Sequence, residues 1–222
     1  MPVLNEAHGI VAALQGLDPW RRAGHRVIVV DGGSEDGTAA LAEPLADQLL
    51  HSPRRGRAHQ MNMGARASQA DVLVFLHADV GLPAAADGLI GAALAARARG
   101  WGYFAVRLTG RSPMLRVVET MMNWRSRLTG IATGDQTLFV RRPLFDAVGG
   151  FPVIPLMEDI ALCKRLKDIH RPLRIDRPVA ASSRRWEDNG IWRTIVLMWR
   201  LRLAFFLGAD PNELARRYYP WS

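Results

Sequence analysis

Two apolar runs of strand length end abruptly in aspartate, and this restricts the fold more than any other feature. Leu73-Val74-Phe75-Leu76-His77-Ala78-Asp79 is one; His25-Arg26-Val27-Ile28-Val29-Val30, closed by Asp31-Gly32-Gly33-Ser34, is the other. Each is β-branched or aromatic in character and is followed by glycine-rich turn residues, which marks a strand running into a loop. In an α/β protein ligands gather where the strands end. A carboxylate there can hold a divalent metal beside phosphate. It can equally cap the turn or helix that follows.

Helical patterns separate these strands. Residues 8–17, 38–50, 58–70 and 83–99 carry helical spacing, with Ser34 and Asp36 placed to cap the second. Strand and helix alternate through the first hundred residues, so the chain is expected to be an α/β protein with a mostly parallel central sheet flanked by helices. Pro2-Val3-Leu4 reads as the tail of a strand too short to stand first, as if the chain began within that strand. Further on, 101–108, 137–140, 173–176 and 179–182 read as strands, and 115–128, 160–166 and 191–207 as helices. Met121, Met122 and Trp124 are assigned to packing. No repeat or linker interrupts the 222 residues, and one domain is expected, with 1–100 as a nucleotide-binding half, 101–190 as an acceptor half and 191–222 as C-terminal helices.

Cys163 is the lone cysteine, which excludes an intrachain disulfide framework and a cysteine-based zinc site. No signal peptide and no uncharged run of membrane-spanning length is recognisable, so a cytoplasmic protein is expected. The net charge of +8 is unevenly spread. Residues 1–50 hold three arginines against seven carboxylates, whereas 160–222 hold thirteen lysines and arginines against six. The basicity is nearly all arginine, a bias that coding composition also produces, and no nucleic-acid partner is expected. The basic C-terminal third suits a phosphate-bearing substrate or an anionic membrane surface.

Several charged positions join the two strand ends. Arg54-Arg55-Gly56-Arg57 precedes a helix start, a natural anion site or else a solvated turn. Gly32 to Gly37 reads G-G-x-x-x-G and fails the dinucleotide fingerprint. Glu158-Asp159 supplies a third acidic position and Arg184-Arg185 more cations. A rim that mixes carboxylates and arginines suits a diphosphate bridged by Mg²⁺ or Mn²⁺.

In order and spacing, Pro2-Val3-Leu4-Asn5-Glu6, Asp31-Gly32-Gly33-Ser34-Glu35-Asp36-Gly37-Thr38, His77-Ala78-Asp79, Gly149-Gly150-Phe151 with Glu158-Asp159, and Arg184-Arg185-Trp186 resemble a family 2 glycosyltransferase of the GT-A fold. The stretches at 56–62 and 134–136 resemble a bacterial subgroup labelled arsenosugar-biosynthesis-type glycosyltransferases. The resemblance implies that Pro2, Asn5, Glu6, Asp31 and Ala78 line a nucleotide pocket, with Arg57 on the phosphates. It implies Asp79 as the metal ligand, Asp159 as the base beside Glu158, and Arg185 and Trp186 as the element closing over diphosphate and acceptor. The implied reaction is metal-dependent inverting transfer of a sugar from a nucleoside-diphosphate donor, UDP by default, to a small-molecule or lipid-linked hydroxyl.

His77 stands where the family pattern has an aspartate, either as a packed strand residue or as a metal ligand. Residues 191–207 present Trp192, Ile195, Val196, Trp199, Leu203 and Phe206 on one face, which either packs on the domain or contacts a membrane peripherally. Two rival functions are a non-catalytic nucleotide-sugar or membrane-surface module with a decayed site, and a nucleotidyltransferase. The latter lacks its glycine-rich N-terminal signature.

Overall fold

A computed structural model describes residues 1–188 and 190–218, without the side chain of Arg185. Strands β1 (Pro2–Val3), β2 (Ile28–Asp31) and β3 (Gln48–His51) form a parallel sheet in that order. Strands β4 (Val72–Phe75), β5 (Val80–Gly81), β6 (Trp101–Leu108), β7 (Leu138–Arg141) and β8 (Leu173–Ala181) form a second sheet in the order β4-β7-β6-β8-β5. There β6 and β8 are parallel and the other pairs antiparallel. The architecture is the expected α/β one, parallel at the N-terminus and mixed beyond it.

The helices are α1 (Ala7–Gln15), α2 (Asp18–Arg22), α3 (Thr38–Ala42), α4 (Arg57–Ala67), α5 (Ala86–Leu94), α6 (Pro113–Thr129), α7 (Arg142–Ala147), α8 (Glu158–Ile169), α9 (Arg184–Asp188), α10 (Ile191–Phe206) and α11 (Pro211–Tyr218), with a 3₁₀ turn at Gly134–Gln136. Two apolar cores hold them together. One gathers Val3, Ile10, Val29, Ile90, Phe104 and Leu115; the other gathers Met61, Phe75, Tyr103, Phe151, Ile160 and Leu201. Helix α4 ties the two. Its Met61 sits in the second core, while the buried Gln60 amide donates to Val3 O and Val30 O, both at 2.8 Å, at the edge of the first.

Four sequence expectations are corrected. The helix expected over 38–50 stops at Ala42, and Gln48–His51 is β3. Pro44 explains the stop, because proline has no amide N–H to continue the helical hydrogen bonds and its ring crowds the preceding turn. The helix expected over 83–99 is the shorter α5, entered through Ala85 in the left-handed region. The two strands expected at 173–176 and 179–182 are the single strand β8, irregular in register against β6 where Pro178 interrupts the ladder. Finally, only Met122 of the apolar stripe on α6 packs inward. Met121 and Trp124 are 42% and 64% exposed. Helix α6 carries two apolar rows at helical spacing, and Leu115, Val118 and Met122 form the buried one.

Between β2 and β4 lies a groove of about 610 Å³ lined by Ile28, Val30, Met61, Val74 and Trp20. None of Asp31, Asp79 and Asp159 lines it, so it is separate from the strand-end carboxylates.

Replacing Gln60 by leucine leaves the Val3 and Val30 carbonyls without that buried donor. A loss of about 1–3 kcal/mol is expected, read as a lower urea midpoint with an unchanged slope. An unchanged midpoint would show that the amide does not brace the N-terminal sheet.

Candidate active site

Asp31 ends β2 almost fully buried and organises the turn after it. Its carboxylate accepts from the Gly33 and Ser34 amides at 3.0 Å and from the Ser34 hydroxyl, with His51 Nδ1 3.8 Å away. The turn then closes on the N-terminal segment. Asn5, left-handed at φ 55°, a conformation asparagine tolerates, donates its amide to Ser34 Oγ and accepts from the Glu35 amide, both at 2.9 Å. The Glu6 amide donates to Thr38 Oγ1 at 2.8 Å and the Ala7 amide to Asp36 Oδ2 at 2.9 Å. The Thr38 hydroxyl, first, and the Ala7 amide hold the Asp36 carboxyl below the usual carboxylate range. Pro2 is half-buried in β1 beside this turn.

Arg184, at the start of α9, reaches back to the same segment. Its Nη2 lies 3.5 Å from Glu6 Oε2 and its Nη1 3.1 Å from His8 Nδ1. Two residues earlier, the Ser182 amide donates to Asp79 O at 2.9 Å, so α9 also meets the turn after β4. In that turn Ala78 is half-buried and Asp79 exposed. No hydrogen bond or ion pair among the described residues engages the Asp79 carboxylate.

His77 faces the other way. Its ring packs on Gly134, where a Cβ would fall 2.0 Å from the ring, and its Nδ1 is 3.9 Å from Asp135 Oδ1. The Gly134 amide donates to Asp159 Oδ2 at 2.8 Å, and the Ile160 amide to Asp159 Oδ1 at 2.7 Å. The 3₁₀ turn is held by Gln136, which is fully buried and donates to Ser126 Oγ and Phe104 O. Asp159 thus sits in the first turn of α8, where helix amides and dipole favour a carboxylate.

Charge accumulates around Asp159. Burial, then the neighbouring Arg202, pushes the Arg125 guanidinium down to about 10, with Asp159 opposing. Arg202 is lowered by burial and supported by Asp159 and Asp135. Burial and the Asp159 charge push the Glu158 carboxyl up to about 7, and Arg57 at the start of α4 opposes them. Arg57 is therefore placed with the Glu158-Asp159 pair. Asn62 on the same helix clasps Phe151, donating to its carbonyl at 2.8 Å and accepting from its amide at 2.9 Å.

Most of the residues singled out in the sequence thus lie in one chain of contacts. It runs from Asp31 through Ser34, Asn5, Glu6 and Arg184 and, by way of the Ser182 amide, to Asp79, then through His77 and Gly134 to Asp159 and Glu158, with the Arg57 charge beside Glu158. Trp186 is half-buried against the first core, with no contact to Asp159 shown. The side chain of Arg185 lies outside the described residues. Sequence reading missed Asp135, Arg125 and Arg202 as site residues. The Gly-Asp-Gln stretch at 134–136 was a signal for Asp135, whereas isolated arginines on amphipathic helices gave none.

Among the described residues no group of three His, Cys, Asp or Glu side chains gathers to hold a metal. A Mg²⁺ or Mn²⁺ ion that takes most of its ligands from phosphate and water needs only one or two protein oxygens. The exposed Asp79 carboxylate, which no described residue engages, fits that requirement.

Residues 1–86 match the family model described as Glycosyl transferase family 2. An uncharacterized glycosyltransferase of Mycobacterium bovis is 32% identical over 79 residues, which cover 36% of this chain and 34% of that protein, about a third of its length. Among solved structures, a mannosyltransferase from Pyrobaculum calidifontis, in complex with GDP-Man and Mn²⁺, superposes with a TM-score of 0.64 at 24% identity, covering 98% of this chain and 67% of its own. Glucosyl-3-phosphoglycerate synthase from Mycobacterium tuberculosis, in complex with Mn²⁺, UDP and glucosyl-3-phosphoglycerate, gives 0.60 at 18% identity over 82% and 68%. These likenesses establish the GT-A fold.

Glu158 generates a pH signature. Its native carboxyl holds a proton up to about 7, whereas the unfolded one releases it near the ordinary glutamate value of 4.5. Between those values the native state binds more protons than the unfolded state, so this group's contribution to stability falls as pH rises and is fully lost above about 7. Glu158→Gln is expected to flatten that fall, by on the order of 2 kcal/mol between pH 5 and 8, measured as the difference between urea unfolding curves. Parallel profiles for the two proteins would show that Glu158 ionises freely.

Proposed function

We propose that the chain, whose residues 1–86 match the model of glycosyl transferase family 2, is a member of that family and transfers a sugar, with inversion, from a nucleoside-diphosphate donor to an acceptor hydroxyl. The observation that carries this reading is the Asp159 carboxylate, fixed by the Gly134 amide and joined through His77 to the turn that presents Asp79. In this reading Asp159 is the base and Asp79 the metal-binding carboxylate, the two groups that a single displacement needs held relative to each other.

Pro2, Asn5, Glu6, Asp31 and Ala78 form the nucleotide side, with UDP the first candidate. Arg57 is the cation for the diphosphate. Asp79 would hold Mg²⁺ or Mn²⁺, whose charge would offset that growing on the departing diphosphate. Asp159 accepts the acceptor hydroxyl proton as its oxygen bonds to the anomeric carbon. The bond from that carbon to the diphosphate oxygen breaks, and the nucleoside diphosphate leaves with the electron pair. Glu158, protonated to near neutrality, positions Arg57 and limits negative charge beside the base. Arg185 and Trp186 are assigned to closure over the diphosphate. In this reading residues 1–100 form the donor half and 101–190 the acceptor half. Residues 191–207 contact a membrane peripherally at its cytoplasmic face, and the acceptor is a small molecule or a lipid-linked hydroxyl. Support comes from the solved relatives, which hold GDP-Man or UDP with Mn²⁺.

Calorimetry of UDP and GDP with and without Mn²⁺ tests the donor side. Metal-dependent binding of one nucleotide, weakened at least about tenfold in Asp79→Ala, is expected. Binding of neither by the folded protein would overturn the reading. Asp159→Asn is expected to retain nucleotide binding while losing about 10²-fold or more in turnover, checked by release of nucleoside diphosphate with the acceptor that supports activity.

A further inference from the structure

Helices α6 and α10 pack on one another, and each turns a second apolar row away from the protein. On α6 the outward row is Val117, Met121, Trp124 and Leu128. On α10 it is Trp192, Val196, Trp199, Leu203 and Phe206. Both rows step by three and four residues and so form single stripes. The opposite faces are anchored, through Leu115, Val118 and Met122 on α6 and Thr194 and Leu201 on α10. The exposure is large, with Trp124 at 64%, Trp192 at 67% and Trp199 at 58%. A contiguous apolar surface of this kind marks an interaction site.

The charge around the stripes selects the partner. Residues 113–129 and 191–206 contain six arginines and one carboxylate, Glu119, which pairs with Arg116. Arg127, Arg193 and Arg200 are exposed. A second copy would bring arginine against arginine, whereas an anionic lipid surface complements the charge. Tryptophans on an arginine-flanked apolar face suit the boundary between headgroups and acyl chains. No helix among the described residues is long and apolar enough to cross a membrane. We infer that α6 and α10 together form one face that docks on the surface of an anionic bilayer. Lipid binding by this face does not rest on the transferase reading.

The test is co-sedimentation of the full chain with phosphatidylcholine vesicles and with vesicles containing about one third phosphatidylglycerol. Binding to the anionic vesicles, weakened by salt and reduced at least about tenfold in Trp124→Ser and in Trp199→Ser with Leu203→Ser, is expected. Arg193→Glu with Arg200→Glu changes no apolar contact and is expected to lower binding in the same direction. Circular dichroism and an unchanged urea unfolding midpoint establish that each variant is folded. Absence of vesicle binding, or binding that no variant alters, overturns the inference. So does a concentration-dependent dimer in sedimentation velocity that the stripe variants dissolve while vesicles are ignored. Failure of nucleotide binding alone would remove the transferase reading and leave the vesicle result standing.

Discussion

The backbone of Gly134 is the point on which the site depends. Its amide donates to Asp159 and its bare Cα lies against the His77 ring. Any side chain there would displace the ring or break the hydrogen bond, so the turn after β4, the 3₁₀ turn and the start of α8 are fixed together only because residue 134 is glycine. The buried Gln136 beside it anchors the turn to β6 and α6 through Phe104 O and Ser126 Oγ. The position of Asp159 is thus set by the folded second sheet, and no loop has to find it afresh.

The Asp159 end of the site is electrostatically dense and nearly balanced. Arg57, Arg125 and Arg202 meet Glu158, Asp159 and Asp135, and several of these groups are largely removed from water. Burial of that many ionisable groups costs free energy that pairing only partly returns. The shifts in Arg125 and Glu158 are the visible sign of that cost, since each is pushed by burial toward its neutral form. Strained electrostatics of this kind collects where chemistry is done rather than where stability is needed.

Much of this was legible in the sequence, and the rest was hidden for identifiable reasons. Asp31 and Asp79 announced themselves because an apolar run breaking into a carboxylate is a local signal. Glu158-Asp159 did so because two acids open a helix. Arg125 and Arg202 gave no such signal. Each is one arginine on an amphipathic helix, and only tertiary packing decides that it points at Asp159. The same ambiguity misassigned Met121 and Trp124, since α6 has two apolar rows and spacing cannot say which is buried. β3 is hidden in the sequence because Leu49 and Leu50 continue the apolar spacing of the preceding helix across Pro44.

The separation of the two sheets has a mechanical consequence. β2 and β4 flank a groove and share no ladder, so the three short N-terminal strands gain no backbone hydrogen bonds from the larger sheet. Beyond the apolar core that Val3 and Val29 share with Phe104, the polar ties across that region are made by side chains: Gln60 to Val3 and Val30, Asn62 to Phe151, and Arg184 to Glu6. A ladder opens cooperatively, whereas ties of this sort can be released one at a time. The N-terminal sheet is therefore the part of the structure whose amides are expected to exchange with solvent before those of the larger sheet.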